Sequence, residues 1–558
     1  MTLPRPSLLA LFLFLLAIAV LLPGITEVTG ITGKDEYLLG LRTPMHMIEG
    51  GHGWLPWLDG EPRLKKPPLI YWLGKISYET LGVSLFSGRI IGVLFAALFS
   101  VVAGLLAWSL FKDRRAMLFS GLIILGSLGV MIDGRRLMLD IPVAALSGVA
   151  ILFLVYWRAY GRAVDIIVSG AVLGLAFLLK GPVAFFFYFA AFFALLIATP
   201  GSSSFIRRSW LAGLMGVLVF CLVAVPWFAY LAVEFPELLS KTFASEVAER
   251  ELFNFSISPI FSLLLMALPW SPVLFAILWR KQSQTASLKV WPGDKIDTKK
   301  FLVLWLVLSI LPFFFFKSFS RYLYGCMIPL SLLVSLLLFE KENLSDFRVW
   351  LRSGSALSVI IGATLIFFLL WFRGFQPVII APLLLMLAFI LCWWRSENLL
   401  QMAFMSVLYW LGLISMVYPA LGINRIPDGL LEKVKGEYVV LFAGPQPAML
   451  PIVAGKGMRD TSRLWSLPEA QRDSCKGILL FSPVKHFITA RTQLDKLDHS
   501  WTELGRYRVL SSRGSWIRIA HEDATKEDWK RAFFKQDLDS LGTEIILVRS
   551  TARKCLQR

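Results

Sequence analysis

The sequence predicts a polytopic α-helical membrane protein that ends in a smaller mixed α/β domain. Of its 558 residues, 56% are hydrophobic and only 17% are charged, and the chain contains 43 Phe and 20 Trp. A soluble protein of this length cannot bury so much apolar surface, so much of the chain must use lipid as its solvent. Apolar runs long enough to cross a bilayer, roughly 17–25 residues, recur along the chain. They extend from the N-terminus to about residue 421.

These runs predict about thirteen transmembrane helices. Their approximate bounds are 7–24, 86–110, 116–132, 141–157, 166–179, 182–199, 209–231, 258–279, 301–316, 322–339, 354–372, 377–394 and 401–421. The first run lacks a small-residue cleavage site and is followed by further spans. We therefore interpret it as a retained membrane helix rather than a signal peptide.

The basic residues cluster at alternate gaps between the predicted spans, although the formal net charge is +18. These clusters are Lys112, Arg114 and Arg115; Arg158 and Arg162; Arg207 and Arg208; Arg280 to Lys300; Lys341 to Arg352; and Arg395. Such alternation is the positive-inside pattern, and it predicts that these gaps and the N-terminus are cytoplasmic. It also argues against nucleic-acid binding as the reason for the charge. An odd number of spans then places residues 422–558 outside.

The tail, residues 422–558, has the pattern of a mixed α/β domain. Predicted strands are "EYVVLFA" (437–443), "GILLF" (477–481), "SWIRIA" (515–520) and "TEIILV" (543–548). Residues 526–541 have the spacing of an amphipathic helix. Cys475 and Cys555 both fall in the tail, and the sequence leaves open whether they pair.

Two further segments are too long and too polar to be simple connections between spans. Residues 25–85 combine charges, Gly and Pro with apolar patches, and residues 232–257 have the spacing of a helix in the membrane interface. Residues 1–421, with these two outer segments, are predicted to form one membrane domain.

The predicted outer face collects unusual charges from distant parts of the chain. They occur in "KDE" (34–36), "RLKKPP" (63–68), "GRRLMLD" (134–140), "LLKGP" (178–182), "EVAER" (246–250) and "KSFSRYLYG" (317–325). Charges at helix ends are costly if they enter lipid, so acids and bases in short turns indicate a shared polar cavity.

Each of these charges also has a plainer interpretation. Asp140, followed by Ile-Pro, is a good helix N-cap. Lys66, Lys180 and Arg321 are placed to reach lipid headgroups from the ends of spans. Glu246 and Arg250 are four apart, as in a surface ion pair.

The combination favours a substrate that carries phosphate on a lipid. Lysine and arginine bind phosphate through charge-assisted hydrogen bonds, and a neighbouring carboxylate can act as a base or orient a nucleophile. The sequence has no serine–histidine–aspartate pattern, phosphate loop, nucleotide fingerprint or histidine-rich metal site. His46 and His52 are interpreted as incidental.

An ordered set of motifs resembles the ArnT/protein O-mannosyltransferase superfamily. The set begins with an Asp-Glu pair after the first span, "LDGEPRLKKPPLIYWL" (58–73) and an Arg-x-x-x-x-Asp that opens the fourth span. It continues with "LLKGP", two Pro-Trp pairs at 226–227 and 269–270, and "SRYLYG". The superfamily comprises multi-spanning glycosyltransferases of the GT-C fold that use polyprenyl-phosphate sugars. The resemblance covers residues 1 to about 421 and is strongest to the bacterial lipid A aminoarabinose transferases; the tail matches in position and class.

The resemblance implies roles for individual residues. Asp35 corresponds to an essential first-loop aspartate, Asp140 to a second acidic position, and Lys66 to a lysine near the donor phosphate. Bases expected around the same cavity are Lys180, Arg321 and Arg135, and expected supporting residues are Glu36, Glu246, Arg250 and Tyr322. No metal ligand is assigned.

Two positions depart from the family pattern. The family often has Asp-Glu-x-Arg-Tyr, whereas this chain has Asp-Glu-Tyr-Leu-Leu, and its nearest arginine is Arg42. The residue before Lys66 is commonly acidic but is Lys65 here. These differences bear on which sugar and acceptor are used more than on the type of reaction.

The resemblance implies an inverting glycosyltransferase in a bacterial inner membrane. It would move a sugar from undecaprenyl phosphate to an envelope acceptor on the periplasmic side, with lipid A phosphate as the first expectation. Alternatives are the same chemistry on O-antigen, core glycan or protein Ser/Thr, or a flippase or transporter of lipid-linked sugars. No cofactor is required on this expectation, and a divalent cation would be compatible with it.

Overall fold

The structure is a computed structural model that describes most of the chain. It covers residues 4–33, 36–251, 253–276, 297–339, 347–395, 397–443, 449–472, 474–511, 520–521 and 523–555. Asp35 lies outside the described residues, as does all of the predicted strand "SWIRIA" except its last residue.

Among the described residues, eight helices are long and apolar enough to cross a membrane. They are Leu85–Phe111, Asp140–Tyr160, Ala163–Lys180, Ser202–Glu234, Ser320–Phe339, Arg348–Arg373, Pro377–Arg395 and Leu399–Ala420. Two shorter apolar helices, Pro6–Leu21 and Val183–Ala198, lie at two further predicted spans. A helix satisfies its own main-chain hydrogen bonds, which lipid cannot do. The chain is therefore a polytopic α-helical membrane protein, and the count of thirteen spans stays a prediction.

The other three predicted spans coincide with interrupted helices. Their parts are Arg114–Leu125 with Leu128–Asp133, Ser258–Met266 with the 3-10 turn Ser271–Leu274, and Thr298–Ile310 with the 3-10 turn Leu311–Phe314. Gly126, Pro269 and Pro312 lie at or beside the interruptions. Glycine is a weak helix former and proline lacks an amide donor, which accounts for breaks at these places.

The core of the helical part forms around the segment Ser320–Phe339. Most of its apolar window (89%) is buried, whereas only 17% of the corresponding window of Ser202–Glu234 is buried. The buried segment packs against Arg114–Leu125, Asp140–Tyr160 and Thr298–Ile310. The exposed apolar surface of Ser202–Glu234 is suited to lipid contact.

The two long outer segments contain short helices. The first has a π-helical turn at Glu36–Arg42, the helices Thr43–Glu49 and Leu69–Leu81, and a hairpin of strands β1 (Trp57–Leu58) and β2 (Glu61–Pro62). The second has the helix Pro236–Ala248, in which no side chain is buried. That helix was predicted from its spacing, and its contact with the membrane stays a prediction.

The tail contains a five-stranded sheet. Its strands are β3 (Val439–Phe442), β4 (Arg459–Thr461), β5 (Ile478–Pro483), β6 (His499–Val509) and β7 (Thr543–Ala552), in the order β4-β3-β5-β7-β6. The pairs of β3 with β4 and with β5 are parallel, and β7 is antiparallel to β5 and to β6. Three predicted strands correspond to β3, β5 and β7. Neither β4 nor β6 was predicted, because both strands contain few buried apolar residues.

The tail also contains the helices Leu430–Val434, Leu450–Val453, Glu469–Arg472, Val484–Lys496 and Lys526–Lys535. Leu430 and Leu450 pack on one face of the sheet, and Ala490 and Leu494 pack on the other. The helix predicted over 526–541 ends early because Gln536 adopts a left-handed conformation (φ 53°), and a 3-10 turn follows at Leu538–Leu541. Cys475 and Cys555 form a disulfide with a Cα–Cα distance of 5.4 Å, which resolves the question that the sequence left open.

The tail contacts the helical part at two places. Arg42 donates to the Asp59 carboxylate (2.6 Å) and to the carbonyl of Met458, which joins the first outer segment to the tail. Arg373, the last residue of a spanning helix, donates to both oxygens of Asp539 at 2.8 Å each.

Candidate functional site

Asp140, Lys180 and Arg321 meet in one buried cluster. The Lys180 ammonium donates to Asp140 Oδ1, and Arg321 Nε lies 3.5 Å from Asp140 Oδ2. Asp140 and Lys180 are both buried, and the Arg321 side chain is 11% exposed. Three charged residues selected from distant parts of the sequence therefore share one location.

A helical hairpin brings Asp140 and Lys180 together. The helix Asp140–Tyr160 connects to the helix Ala163–Lys180 through a turn at Gly161 with φ 67°, a conformation that glycine adopts readily. The helices have 21 and 18 residues, so each is about 30 Å long and they run back along each other. The first residue of one helix thus lies beside the last residue of the next.

The structure corrects the interpretation of Asp140 as an N-cap. Asp140 is the first helical residue, and no side chain caps this helix. Its carboxylate pairs with the two cations instead, through charge-assisted interactions.

The Tyr322 ring contacts the cations of this cluster. The Lys180 ammonium lies 3.8 Å from the ring centroid, and the guanidinium carbons of Arg250 and Arg321 lie at 5.2 and 5.6 Å. The negative face of an aromatic ring attracts cations at these distances. Tyr322 therefore holds three bases close together.

A second bridge joins Lys66 to the helix Pro236–Ala248 and the turn that follows it. Lys66 Nζ lies 2.5 Å from Glu246 Oε2, and Arg250 lies 3.5 Å from the same oxygen. All three side chains are 18–26% exposed, so they border solvent. Because Arg250 also reaches Tyr322, this bridge is continuous with the Asp140 cluster.

A buried ionic layer, formed by Glu36, Arg89, Asp133, Arg136 and Tyr324, lies next to this cluster. This layer was not predicted from the sequence. Arg136 donates to Asp133 Oδ1 (2.6 Å), and its Nε lies 3.6 Å from Glu36. The Tyr324 hydroxyl donates to Asp133 Oδ2 at 2.8 Å. Arg89, Asp133 and Tyr324 are polar residues within apolar stretches, and this was the signal that could have identified them.

Glu36 is the acid that anchors the first outer segment to this layer. Arg89 Nε donates to Glu36 Oε1 (2.8 Å) and the Thr32 hydroxyl donates to Oε2 (2.6 Å). Burial by itself raises the pKa of Glu36, but the nearby Arg89 and Arg136 outweigh it and hold this pKa below the usual value. Glu36, which was predicted as a supporting residue, is thus ionised and fully buried, and it pairs with Arg89 and Arg136.

Arg135, which was predicted to lie among the bases of the cavity, contacts the first helix in the structure. Its guanidinium donates to the carbonyls of Val20 (3.0 Å) and Pro23 (2.7 Å) and to the Ser415 hydroxyl. These carbonyls lie at the C-terminal end of the first helix, where the helix dipole favours a cation. Arg135 therefore joins the first helix to the last membrane helix. Its neighbour Arg136 is the arginine that contacts the acids Asp133 and Glu36.

Close main-chain packing fixes the turn that carries these arginines. A Cβ atom on Gly92 would lie 2.2 Å from the carbonyl oxygen of Arg136, and one on Gly40 would lie 2.1 Å from that of Leu137. Glycine is the residue that permits such approach. The turn is thus held between the helix Leu85–Phe111 and the first outer segment.

Among the described residues, the combined site has more bases than acids. Arg89, Arg136, Lys180 and Arg321 face Glu36, Asp133 and Asp140, and Lys66 and Arg250 share Glu246. The part of the chain that the structure describes holds no group of three or more His, Cys, Asp or Glu placed to bind a metal. His46 contacts Arg42 (3.4 Å), and His52 stacks on Trp57 with 3.8 Å between ring centroids.

Comparison with known proteins connects this arrangement with a class of enzymes. Residues 65–230 match the family model described as dolichyl-phosphate-mannose-protein mannosyltransferase. A Pseudomonas fluorescens protein named undecaprenyl phosphate-alpha-4-amino-4-deoxy-L-arabinose arabinosyl transferase 1 is 26% identical over 77% of this chain and 78% of its own length. A Pseudomonas aeruginosa protein of the same name, without the numeral, is 28% identical over 56% of each chain.

Two solved structures of ArnT from Cupriavidus metallidurans have the same fold. The apo structure gives a TM-score of 0.65, and the structure bound to undecaprenyl phosphate gives 0.66. In both comparisons 98% of each chain is covered, at 15% sequence identity. The predicted resemblance is thereby confirmed: the chain is a polytopic membrane protein of the GT-C fold, and it is similar in sequence and structure to ArnT glycosyltransferases.

Proposed function

We propose that this protein transfers a sugar from undecaprenyl phosphate to a phosphate of lipid A, with inversion at the anomeric carbon. The observation that carries the proposal is the excess of buried cations around Asp140, continuous with Lys66 at the solvent border. The names of the relatives supply the donor and sugar class, and the ArnT structure bound to undecaprenyl phosphate supports the donor.

In the reaction, an acceptor oxygen forms a bond to the anomeric carbon on the face opposite the donor phosphate. The bond between that carbon and the phosphate oxygen breaks, and its electron pair stays on the lipid phosphate. Lys66, Lys180 and Arg321 stabilise this growing negative charge, with Arg250 and Tyr322 holding the bases in place.

The two aspartates are the proposed catalytic carboxylates. Asp35 orients or deprotonates the acceptor, or stabilises positive charge that grows on the sugar, and Asp140 supports it from the neighbouring helix end. A lipid A phosphate is already ionised, so Asp35 then acts mainly by positioning. Glu36 and Glu246 fix the surrounding bases.

The site is proposed to face the periplasm of a bacterial inner membrane. Residues 1–421 would form the catalytic domain with thirteen spans, and residues 422–558 a periplasmic domain. The Cys475–Cys555 disulfide supports this orientation, because disulfides persist in oxidising compartments such as the periplasm. The alternating basic gaps support it independently.

The same chemistry on O-antigen, core glycan or protein Ser/Thr is the nearest alternative. Transport of lipid-linked sugars is less favoured, because transporters place polar groups near the bilayer midplane and this cluster lies at helix ends. The reaction is proposed to need no cofactor and to be compatible with a divalent cation.

Purified protein in proteoliposomes tests the proposal. Undecaprenyl phosphate-aminoarabinose and lipid A should give a lipid A product one aminoarabinose heavier, in equal amounts with and without EDTA. Asp35→Asn should abolish transfer, whereas Glu27→Gln, an exposed acid of the same outer segment, should leave it unchanged. Wild-type transfer by Asp35→Asn would refute the role of Asp35, and absence of product from every lipid A, glycan or peptide acceptor would refute the function.

A further inference from the structure

The tail helix Lys526–Lys535 exposes aromatic side chains that the proposed reaction does not use. Trp529 and Phe533 are 38% and 39% exposed, and Phe534 is 80% exposed. Ala532 is the buried residue of this helix. Large apolar side chains exposed side by side mark a surface that contacts something other than water.

These side chains continue the lipid-facing surface of a spanning helix. Phe367, 53% exposed on the helix Arg348–Arg373, stacks on Trp371 with 5.9 Å between ring centroids. Trp371 stacks on Phe533 (4.7 Å), and Phe533 contacts Phe534 (6.0 Å). An unbroken series of rings therefore leads from the membrane surface of the protein to the tail helix.

The contacts with the spanning helix also fix the position of the tail helix along the membrane normal. Trp371 lies two residues before the end of its helix, and its Nε1 donates to the carbonyl of Phe533 at 2.8 Å. Tryptophan is enriched at the level of lipid headgroups. The tail helix is thus held beside the end of a transmembrane helix.

From this arrangement we infer that the helix Lys526–Lys535 lies on the bilayer surface and binds anionic phospholipid. Phe533 and Phe534 enter the headgroup region. Lys530 precedes them by three and four residues, so it shares their side of the helix and its ammonium binds lipid phosphate. The bilayer thereby holds the tail domain against the membrane part, whatever sugar or acceptor the enzyme uses.

Spin labelling tests this inference on the full-length protein in nanodiscs of phosphatidylethanolamine and phosphatidylglycerol. Phe534→Cys carries the label in a chain whose free cysteines Cys221, Cys326 and Cys392 are replaced by alanine. Ile488→Cys is the matched control, because Ile488 is 75% exposed on a tail helix that packs on the other face of the sheet from Leu430. Both sites are exposed, so neither substitution disturbs the core.

The label at position 534 should collide several-fold more often with oxygen than with a water-soluble nickel chelate, and the label at position 488 should show the reverse. Lys530→Glu should lower this preference at 534, whereas Lys496→Glu on the control helix should not. Equal collision ratios at 534 and 488 would overturn the inference. Low collision rates at 534 with both oxygen and the nickel chelate would indicate a protein partner and would overturn it as well.

Discussion

The carboxylate of Asp140 binds two cations that reach it from different helices. Lys180 and Arg321 are positioned by the end of one helix and by a 3-10 turn, and neither is close to Asp140 in sequence. A donor phosphate that enters the cluster competes for the same bases. At the scale of single residues, the proposed function makes Asp140 the group that orients these bases before substrate binds.

The first prediction concerns Asp140 itself. Asp140→Asn should lower kcat for sugar transfer by about 10²-fold or more, because the pre-oriented electrostatic environment is lost. Asp165→Asn is the control: Asp165 is also buried and paired with Arg162 (2.9 Å), but at the opposite end of the same helical hairpin. Equal losses in the two variants, measured in the proteoliposome assay, would mean that Asp140 acts only in folding.

Glu36 gives a second prediction at this scale. Glu36→Gln leaves Arg89 and Arg136 without one carboxylate partner and should lower the free energy of unfolding by about 3–5 kcal/mol. The pKa of Glu36 is lowered in the folded state, so its contribution is present above the unfolded value of 4.5 and is lost as the pH falls below it.

Thermal unfolding in nanodiscs measures this effect. The gap in Tm between the wild type and Glu36→Gln should be constant near neutral pH and should narrow below pH 4.5. A gap that does not change with pH would show that the ionised form of Glu36 is not what stabilises the fold.

At the scale of elements, the helix Thr43–Glu49 carries a pH-sensitive contact. Burial, with Arg42 nearby, lowers the pKa of His46 to about 4. The unfolded chain therefore binds a proton near pH 6.5 and the folded chain does not, so stability declines as the pH falls from 6.5 towards 4.

His46→Gln should remove this part of the pH dependence. Between pH 7 and pH 5 the variant should lose less Tm than the wild type, as measured by thermal unfolding. His52→Gln is the control, because His52 stacks on Trp57 at the surface of the same segment. Identical pH profiles for the wild type and His46→Gln would contradict the prediction.

At the scale of the whole molecule, the tail helps to position the outer segment that follows the first helix. Besides the Arg42 contacts, Glu49 Oε1 accepts from the Gly457 amide at 2.6 Å and Asp59 accepts from the Asp460 amide at 3.0 Å. This segment also carries Glu36 and Lys66. The tail thereby restricts motion of residues that belong to the site.

A substitution at Gly457 tests this coupling. A Cβ there would collide with Glu49 Oε2, so Gly457→Ala should displace this carboxylate, weaken its hydrogen bond to the Gly457 amide and lower transfer severalfold. Gly53→Ala is the control, since a Cβ at Gly53 meets no atom within 4 Å. The measurements are the transfer rate and protease cleavage within residues 50–60. Unchanged transfer together with increased cleavage would show that the docking has no role in catalysis.

Much of this molecule follows from local sequence alone. Apolar runs of spanning length predicted the membrane helices, and short apolar runs predicted three of the five tail strands, because both signals are carried by contiguous residues. The charged turns also pointed to Asp140, Lys180, Arg321, Lys66, Glu246 and Arg250, because a charge at a helix end costs free energy if it enters lipid.

Tertiary structure decided the rest. The sequence contains two adjacent arginines, and only the packed structure shows that Arg136 contacts the acids and Arg135 contacts the first helix. The ionic layer of Glu36, Arg89, Asp133 and Tyr324 joins residues up to almost three hundred positions apart. Local patterns indicate which residues prefer lipid and which prefer a polar surface. The pairing of charges depends on the distances between them, and these distances are set only when the helices pack.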